Sequence, residues 1–342
     1  MNLKPLNIAV LLPCYNEAAT IADVVKGFAQ TLPNATIYVY DNNSTDNTSR
    51  VAALAGALVV RESRQGKGHV VRRMFADIEA DLYVMADGDG TYDPTDAPKL
   101  IEKLLEDRCD MVVGTRAGVH DDAGRAGHAL GNRLFNAIYR QMFGPDFTDI
   151  FSGYRVFTRR YVKSFPAVSG GFEIETEMSV HAGQLKLPIA EIELNYGRRP
   201  EGSHSKLSTF RDGFKILLMF VRLMQATQPF RLYGMISALL FGAAVIFAIP
   251  PVVEFMTTGM VNRVPTWIGA VGLMLLATVM AFSGLVLNSV AKGRAEQKRL
   301  NYLAQPPVRG EMRPRVGHQE RRSKTKRKTV DAPSVSLEEQ DT

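Results

Sequence analysis

The stretch from Leu82 to Asp93 reads Leu-Tyr-Val-Met-Ala-Asp-Gly-Asp-Gly-Thr-Tyr-Asp, an apolar run of strand length that ends in two acids. Side chains two apart on an extended backbone point to the same side. We therefore expect Asp87 and Asp89 to face one small volume, which Gly88 and Gly90 keep open. Paired oxygen ligands with room for waters and a substrate suit Mg²⁺ or Mn²⁺ held jointly with a diphosphate. A polar turn that caps the strand is the alternative, because Asp-Gly pairs are common in turns.

Strand-like and helix-like runs alternate through the N-terminal part of the chain. Predicted strands cover 8–12, 36–40, 58–60 and 82–86, and predicted helices cover 20–32, 45–55 and 70–78. This alternation predicts an α/β fold with a mostly parallel sheet and helices on both faces. Ligands of such sheets bind beyond the carboxyl ends of the strands. Three polar loops, 13–17, 41–46 and 87–89, are expected to meet there.

Two motifs of other nucleotide-binding proteins are missing from this region. It contains no Gly-x-Gly-x-x-Gly fingerprint and no Gly-x-x-x-x-Gly-Lys-Ser/Thr loop. A dinucleotide-dependent dehydrogenase and a P-loop NTPase would therefore both lack their phosphate cradle. Asp41 and its Asn and Ser neighbours are candidates for binding a base and a ribose instead.

Two long stretches further along the chain, 232–253 and 264–291, contain no charged residue. At about 1.5 Å per helical residue, the shorter one reaches about 33 Å, which spans a hydrocarbon core of about 30 Å. Basic residues flank both outer ends, whereas only Glu254 and Arg263 lie between them. This pattern predicts a transmembrane hairpin with both outer ends in the cytoplasm. Buried core helices are the alternative, and Pro250-Pro251 is expected to kink or end the first span.

The remaining segments complete the predicted domain plan. Residues 1–209 are expected to form the α/β domain, and 210–231 an amphipathic helix on the membrane surface or, alternatively, a core helix. The hairpin occupies 232–291. Residues 292–342 carry 13 Lys and Arg against 7 Asp and Glu, which accounts for the net charge of +6 of the whole chain. This composition predicts a basic, largely disordered cytoplasmic tail. Only two cysteines, Cys14 and Cys109, are present, which fits a reducing compartment.

Six motifs in a fixed order resemble the family 2 glycosyltransferases, in their polyprenyl-phosphate branch. They are Pro13-Cys-Tyr-Asn-Glu17, Asp41-Asn-Asn-Ser-Thr-Asp46, Gln65-Gly-Lys-Gly68, Asp87-Gly-Asp89, Asp149-x-x-Ser-Gly-Tyr-Arg155 and Arg199-x-x-Gly-Ser-x-Ser-Lys206. Dolichol-phosphate mannosyltransferases and bacterial undecaprenyl-phosphate glucosyltransferases are the most similar types. The resemblance implies a GT-A fold and metal-dependent, inverting transfer of one hexose from a nucleotide-diphosphate sugar, with UDP-glucose favoured, to a polyprenyl phosphate.

The resemblance also assigns residues to roles. The predicted catalytic residues are Asp87, Asp89, Asp149 and Arg116, and Asp89 helped by Asp87 would bind Mg²⁺ or Mn²⁺. The nucleotide sugar is assigned to Pro13, Tyr15, Asn16, Glu17, Asp41, Asn43, Gly66, Lys67, Asp87 and Gly88. The acceptor phosphate is assigned to Arg116, Arg125, Asn132, Arg199, Ser205 and Lys206. Asp149 is expected to bond a sugar hydroxyl or to orient Arg155, with a turn or helix cap as the alternative.

The chain departs from the family pattern at two places. The family has an arginine followed four residues later by a serine where this chain has Arg125 and then Ala129, so Arg125 and His128 both remain candidates. Thr91 stands where the family has a glutamine, which argues against a third metal ligand there. If Glu173, Glu175 and Glu177 lie on one helix or strand, at most two of them can face the site.

Other functions remain open at this stage. A GDP-mannose-dependent mannosyltransferase and a non-catalytic nucleotide-sugar-binding membrane protein are the main alternatives. A processive synthase would need a Gln-x-x-Arg-Trp stretch, and the only tryptophan is Trp267 in the second apolar run. A soluble nucleotidyltransferase would not need the hairpin. The predicted location is the inner membrane, with the catalytic domain and tail in the cytoplasm. A separate flippase partner and a homo-oligomer are further hypotheses, and no nucleic-acid partner is expected.

Overall fold

The computed structural model of the protein describes residues 6–117, 139–140, 147–171, 173–197, 218 and 221–308. Seven strands form one sheet in the order β3-β2-β1-β4-β6-β5-β7. They are β1 (Ile8–Cys14), β2 (Ala35–Asp41), β3 (Leu58–Arg61), β4 (Leu82–Met85), β5 (Met111–Ala117), β6 (Arg155–Thr158) and β7 (Ile189–Asn195). Only β6 runs antiparallel to its neighbours β4 and β5. The predicted mostly parallel sheet is thereby confirmed.

Helices cover both faces of the sheet and create two cores. One core contains α1 (Ile21–Thr31), α2 (Thr48–Leu54) and α4 (Ala97–Glu106). The other contains α3 (Lys67–Asp77), α5 (Arg159–Ser164) and α6 (Ile174–Leu185). The central strand β4 is buried along its whole length, as expected for a continuous apolar strand with helices on both sides. A 3₁₀ turn, Pro94–Asp96, leads into α4.

The strand that precedes the acid pair is shorter than predicted. β4 ends at Met85, so Asp87 and Asp89 lie in the turn that follows it. The alternation of side chains along a strand therefore does not place these two carboxylates. Gly88 also has a different role from the predicted one, because a Cβ there would collide with Cys14 Sγ. This glycine permits close packing of the turn against β1 rather than keeping a volume open.

Two long apolar helices follow, α7 (Pro229–Thr258) and α8 (Val264–Ala304). They pack against each other: Ser237 Oγ donates to the Ala277 carbonyl at 2.7 Å, and Gly284 lies under Tyr233. Both are long and apolar enough to cross a membrane, and only 11% and 17% of their most apolar windows are buried. A core helix of a soluble protein would be mostly buried, so the core-helix alternative is not supported.

The helix boundaries differ from the predicted ones. α7 runs through Pro250 and Pro251 and ends at Thr258, so the prolines do not end the helix, and a kink there stays a prediction. α8 continues beyond Ala291 to Ala304, because its charged end packs on the catalytic domain. This part was predicted as disordered tail. Of the predicted surface helix, 221–227 is helical, with Leu223 packed against the second core. Residues 309–342 lie outside the described residues.

Candidate active site

The loops that follow β1 and β2 are tied together by short polar side chains. Asn16 Oδ1 accepts a hydrogen bond from the Thr45 amide at 2.8 Å, and the Asn16 amide donates to Ser44 Oγ at 2.9 Å. Asp41 Oδ1 accepts from the Ser44 amide at 2.9 Å. Asn16 and Asn43 both have left-handed backbones, with φ of 54° and 64°, which Asn tolerates better than most residues. The predicted meeting of these two loops is confirmed.

Asn42 was grouped with Asp41 as a candidate for ligand binding, but its observed role was not predicted: it connects the second loop to the third. Its side chain is 4% exposed. The amide nitrogen donates to the Arg64 carbonyl at 2.7 Å, and Oδ1 accepts from the Gly66 amide at 2.7 Å. A buried amide needs such partners, since an unpaired one costs free energy. Its position directly after Asp41, at the carboxyl end of a parallel strand, is the sequence signal that could have identified it.

Gly66 and Gly68 allow the third loop to touch the segment before α6. Gly66 has φ of 131°, a conformation that favours glycine. A Cβ at Gly66 would collide with the Gly170 carbonyl, and one at Gly68 with the Ser169 carbonyl. The Gly68 amide donates to the Gly171 carbonyl at 3.1 Å. The start of α3 and the segment 169–171 therefore pack backbone to backbone.

Lys67 lies between two carboxylates. Its ammonium contacts Asp87 Oδ1 and, at 2.5 Å, Glu175 Oε1. The Lys67 side chain is 10% exposed and that of Glu175 is 5% exposed. Burial disfavours the charge, but the two carboxylates outweigh it and raise the pKa of Lys67 above its ordinary value. Lys67 is thus a permanent cation that is shared by two acids.

The acid pair is shaped by its neighbours. Asp89 is 4% exposed, and its Oδ1 accepts from the Thr91 amide at 3.1 Å and from Thr91 Oγ1 at 2.6 Å. Asp87 is more open, with 29% of its side chain exposed. A Cβ at Gly153 would lie 2.8 Å from Asp87 Oδ2, so glycine lets the segment after Asp149 approach this acid. Thr91 orients Asp89, and the expectation that it adds no third ligand stays a prediction.

The donor set fits a hard divalent cation. Asp87 and Asp89 offer only oxygen atoms, which Mg²⁺ and Mn²⁺ prefer. Among the described residues no group of three or more His, Cys, Asp or Glu could hold a metal. The protein would thus supply two carboxylates, while waters and a ligand diphosphate complete the coordination. Octahedral Mg²⁺ commonly binds in this way.

Arg116 and Asp149 form a two-point ion pair on the other side of the rim. Arg116 Nε donates to Asp149 Oδ2 at 2.7 Å, and Nη2 donates to Oδ1 at 2.8 Å. Burial disfavours ionisation of Asp149, but the hydrogen bonds and charge of Arg116 outweigh it and lower its pKa. The guanidinium also lies 5.6 Å from the centre of the Tyr196 ring. Asp149 therefore orients Arg116.

Arg155 is not oriented by Asp149, so that part of the prediction is wrong. Arg155 is fully buried and donates to the carbonyls of Ser152 and Ile150, each at 2.8 Å. These two hydrogen bonds hold the loop that carries Asp149 in place. Glu191, which was not predicted, holds the same loop by accepting from the Thr148 amide at 2.9 Å. A nonlocal contact of this kind leaves no local sequence signal.

The three glutamates at the start of α6, of which Glu173 is the N-cap residue, have different neighbours. Glu175 contacts Lys67, whereas Glu177 accepts from the amides of Val168 and Ser169 at 2.9 and 2.8 Å. Glu173 lies beside Gly171. Of the three, Glu175 contacts the Lys67–Asp87 cluster, and the expectation that at most one or two of them face the site stays a prediction.

The other predicted residues have mixed outcomes. Pro13 is buried in β1, and Tyr15 and Glu17 are half-buried in the loop after it. The Glu17 amide donates to Thr48 Oγ1 at 2.8 Å. The remaining acceptor-phosphate candidates lie outside the described residues, and their roles stay predictions. They are Arg125, His128, Asn132, Arg199, Ser205 and Lys206.

These features define a class. A mostly parallel α/β sheet carries an acid pair after its central strand and three interlocked polar loops at the same rim. Such a site can bind a nucleotide diphosphate through a divalent metal, as enzymes that use nucleotide sugars do. The arrangement is that of a GT-A glycosyltransferase.

Comparison with known proteins identifies the family. The sequence pattern of "Glycosyl transferase family 2" matches residues 9–165. The chain is 34% identical over 306 residues to "Glycosyltransferase AglJ" of Haloferax volcanii, covering 87% of this chain and 99% of that one. It is 31% identical over 245 residues to the "Low-salt glycan biosynthesis hexosyltransferase Agl6" of the same organism, covering 70% and 57%. The chain belongs to glycosyltransferase family 2.

A solved structure supports the fold. Glucosyl-3-phosphoglycerate synthase from Mycobacterium tuberculosis, in complex with Mn²⁺ and UDP-glucose, superimposes with a TM-score of 0.52 at 25% identity. The match covers 64% of this chain and 78% of that one. The same synthase has been solved with Mg²⁺ and UDP. The predicted GT-A fold is confirmed, and the use of a divalent metal by a structural relative is consistent with the predicted cofactor.

Proposed function

We propose that this enzyme transfers a single hexose, with inversion, from UDP-glucose to a polyprenyl phosphate such as undecaprenyl phosphate. The reaction takes place at the cytoplasmic face of the inner membrane and makes a lipid-linked sugar donor for glycan or cell-envelope modification. One observation carries the proposal: a GT-A rim and a hairpin of exposed apolar helices belong to the same chain. An acceptor that is itself a membrane lipid explains why both are needed.

The donor side of the rim would bind the nucleotide sugar. The loops after β1 and β2 would present Asn16, Asp41 and Asn43 to the base and ribose, and Asp87 and Asp89 would hold the metal. A divalent metal bound there supplies positive charge that stabilises the leaving diphosphate. Lys67 neutralises part of the acidic cluster and keeps Asp87 in place.

The acceptor side needs little activation. A phosphate monoester has a second pKa of about 6 and is largely dianionic at neutral pH. A dedicated general base is therefore unnecessary, and the enzyme's main task is to hold the phosphate in line with the sugar. Arg116, oriented by Asp149, would donate hydrogen bonds to the phosphate. Charge-assisted bonds of this kind are shorter and stronger than neutral ones.

The sugar and the membrane partners belong to the same proposal. UDP-glucose is favoured because the synthase mentioned above binds it. In this arrangement the catalytic domain and residues 309–342 lie in the cytoplasm. Two spans are few for a lipid flippase, so a separate partner would move the product across the membrane.

The test uses purified full-length enzyme in liposomes with Mg²⁺ or Mn²⁺ and a panel of radiolabelled UDP-glucose, UDP-galactose and GDP-mannose. Undecaprenyl phosphate and 3-phosphoglycerate are offered as separate acceptors, and lipid and water phases are counted separately. We expect label from UDP-glucose in the lipid phase. Label from GDP-mannose in that phase would indicate a mannosyltransferase. Label only on 3-phosphoglycerate, or on neither acceptor, would contradict the proposal.

A further inference from the structure

The charged end of α8 is part of the catalytic domain. Tyr302 is only 8% exposed and belongs to the core formed by α3, α5 and α6. Its hydroxyl donates to Asp110 Oδ2 at 2.8 Å and accepts from Arg160 Nη1 at 3.1 Å. Asp110 is itself 5% exposed. A buried, fully bonded hydroxyl of this kind fixes the position of the helix that carries it.

A second set of contacts lies one turn earlier on α8. Arg299 Nη1 donates to the Leu185 carbonyl at 2.8 Å, at the end of α6. Lys298 Nζ donates to Gln184 Oε1 at 3.0 Å. Cations near the last carbonyls of a helix interact favourably with its dipole. The two turns of α8 around Lys298 and Tyr302 therefore hold both the end of α6 and the start of β5.

The same helix continues without interruption into the apolar hairpin. α8 is unbroken from Val264 to Ala304. At about 1.5 Å per residue, Tyr302 lies about 16 Å beyond Ala291, the last residue of the uncharged stretch. Asp110 directly precedes β5, whose other end carries Arg116. A helix that enters the apolar hairpin is thus attached to the strand that presents the acceptor-side arginine.

We infer that Tyr302 and Arg299 are positioning residues, which make α8 a rigid strut between the bilayer and the catalytic domain. The strut sets the height and orientation of the Arg116 side of the rim above the membrane. This inference rests on the proposed function, because it matters only for an acceptor embedded in the bilayer. Reaction rates depend steeply on such placement, since a misplacement of about 1 Å can cost about a hundredfold.

The first test compares two acceptors. Wild type, the double variant Arg299→Ala/Tyr302→Ala and the control Asn301→Ala, an exposed neighbour, are assayed with undecaprenyl phosphate in liposomes. They are also assayed with a short, water-soluble isoprenyl phosphate in detergent. We expect the double variant to lose about tenfold or more in kcat/KM with the liposome acceptor. Its kcat/KM with the soluble acceptor, and the control's with both, should stay unchanged.

A second variant guards against misfolding. Insertion of Gly-Ser-Gly-Ser between Gly293 and Arg294 keeps every docking side chain but breaks the helical connection, because glycine is a poor helix former. It should reproduce the selective loss with the liposome acceptor. Equal losses with both acceptors would indicate a merely structural role, and no loss with either would also overturn the inference.

A measurement that needs no activity separates this inference from the proposed function. A donor dye is attached at Glu102→Cys, an exposed position on α4. Energy transfer to acceptor dyes on the lipid headgroups reports the height of this dye above the headgroup layer. Without the insertion we expect a narrow distribution of this height, and with the insertion we expect a broad one. A broad distribution in the wild type would overturn the strut even if transfer to lipid occurs. A narrow one would support it even if the acceptor is not a polyprenyl phosphate.

Discussion

Two half-buried cations at the rim, Lys67 and Arg116, are paired with different numbers of acids. On the donor side Lys67 is shared by Asp87 and Glu175, and Asp89 lies in the same turn as Asp87. On the acceptor side Arg116 pairs with Asp149, its one ion-pair partner in the part of the chain that the structure describes. Among the described residues, Lys67 thus faces two carboxylates with a third acid in the same turn, whereas Arg116 faces one carboxylate. If the proposed function is right, a divalent cation would offset the excess of carboxylates around Lys67 when a diphosphate binds.

Lys67 and Arg116 also differ in the geometry of their contacts with these acids. Lys67 is a point charge that is enclosed by its two acids. Arg116 uses Nε and Nη2 for Asp149, and among the described residues its Nη1 has no hydrogen-bond partner. A guanidinium has five N–H groups in a fixed fork, so an oriented Arg116 retains donors for a ligand. Lys67 thus holds two carboxylates, whereas Arg116 keeps free donors, as its proposed contact with the acceptor phosphate requires.

The largest expected effect comes from the donor side. Asp89→Asn removes one negative charge while it keeps the size of the side chain and an acceptor oxygen for Thr91. If Asp89 holds a metal that is worth several kcal/mol in the transition state, transfer should fall about a hundredfold or more. The measurement is the initial rate of lipid-linked hexose formation over a range of Mn²⁺ concentrations.

Asp107→Asn is the matched control, since Asp107 forms an exposed pair with Lys103 away from the rim. It should transfer sugar at the wild-type rate. Suppose that Asp89→Asn, assayed with EDTA, transferred sugar at the rate of the wild type without EDTA. The donor side would then not be a metal site. The contrast between the two cations would then lose its functional meaning.

A smaller effect is expected on the acceptor side. Arg116→Ala removes a charge-assisted contact of about 1.5–3 kcal/mol, which corresponds to about tenfold to 150-fold in acceptor use. The KM for UDP-glucose should change little, because the nucleotide is assigned to other loops. Both parameters come from titrating lipid phosphate at saturating donor and titrating donor at fixed lipid.

The control for this prediction is Lys99→Ala, which removes a 65% exposed lysine from its pair with Asp96 and should leave both titrations unchanged. Arg116→Lys adds resolution, because a lysine keeps the charge but cannot make the two-point contact with Asp149. It should recover part of the activity. If Arg116→Ala raised the KM for UDP-glucose and left the use of lipid phosphate unchanged, the roles of the two sides would be exchanged.

The sequence allowed much of the fold to be predicted, because the relevant signals are local. The apolar runs of β1, β2 and β4 and the stripe Ile21, Val24, Val25 and Phe28 of α1 follow directly from periodicity. The acid pair and the polar loops could be placed at one rim because parallel strands end at the same edge. The side-chain partners could not be predicted in this way.

Those partners depend on contacts between distant parts of the chain. Arg116 meets Asp149 across 33 residues, and Tyr302 meets Asp110 across 192. No spacing rule encodes such pairs. The charge run after Ala291 was interpreted as a disordered tail for the same reason. Only the packed structure shows that Lys298, Arg299 and Tyr302 have partners on the domain.

The smallest effect concerns Asn43, which tests whether the donor side uses side chains or backbone. Asn43 has φ of 64°, and its Oδ1 accepts from Arg61 Nη2 at 2.7 Å on the surface. Asn43→Gly removes the side chain without strain, whereas Asn43→Ala keeps the Cβ in the left-handed region but loses the polar group that helps Asn to tolerate it, at a cost of up to about 1–2 kcal/mol. If the side chain binds the nucleotide, both variants should raise the KM for UDP-glucose by about two- to twelvefold, the value of one net hydrogen bond. If only the loop conformation matters, Asn43→Gly should behave as the wild type and Asn43→Ala should be less stable to thermal unfolding. Arg61→Ala, which deletes the partner and keeps Asn43, is the control and should leave the KM unchanged in either case. If only Arg61→Ala raised the KM for UDP-glucose, the residue that contacts the nucleotide would be Arg61 and not Asn43.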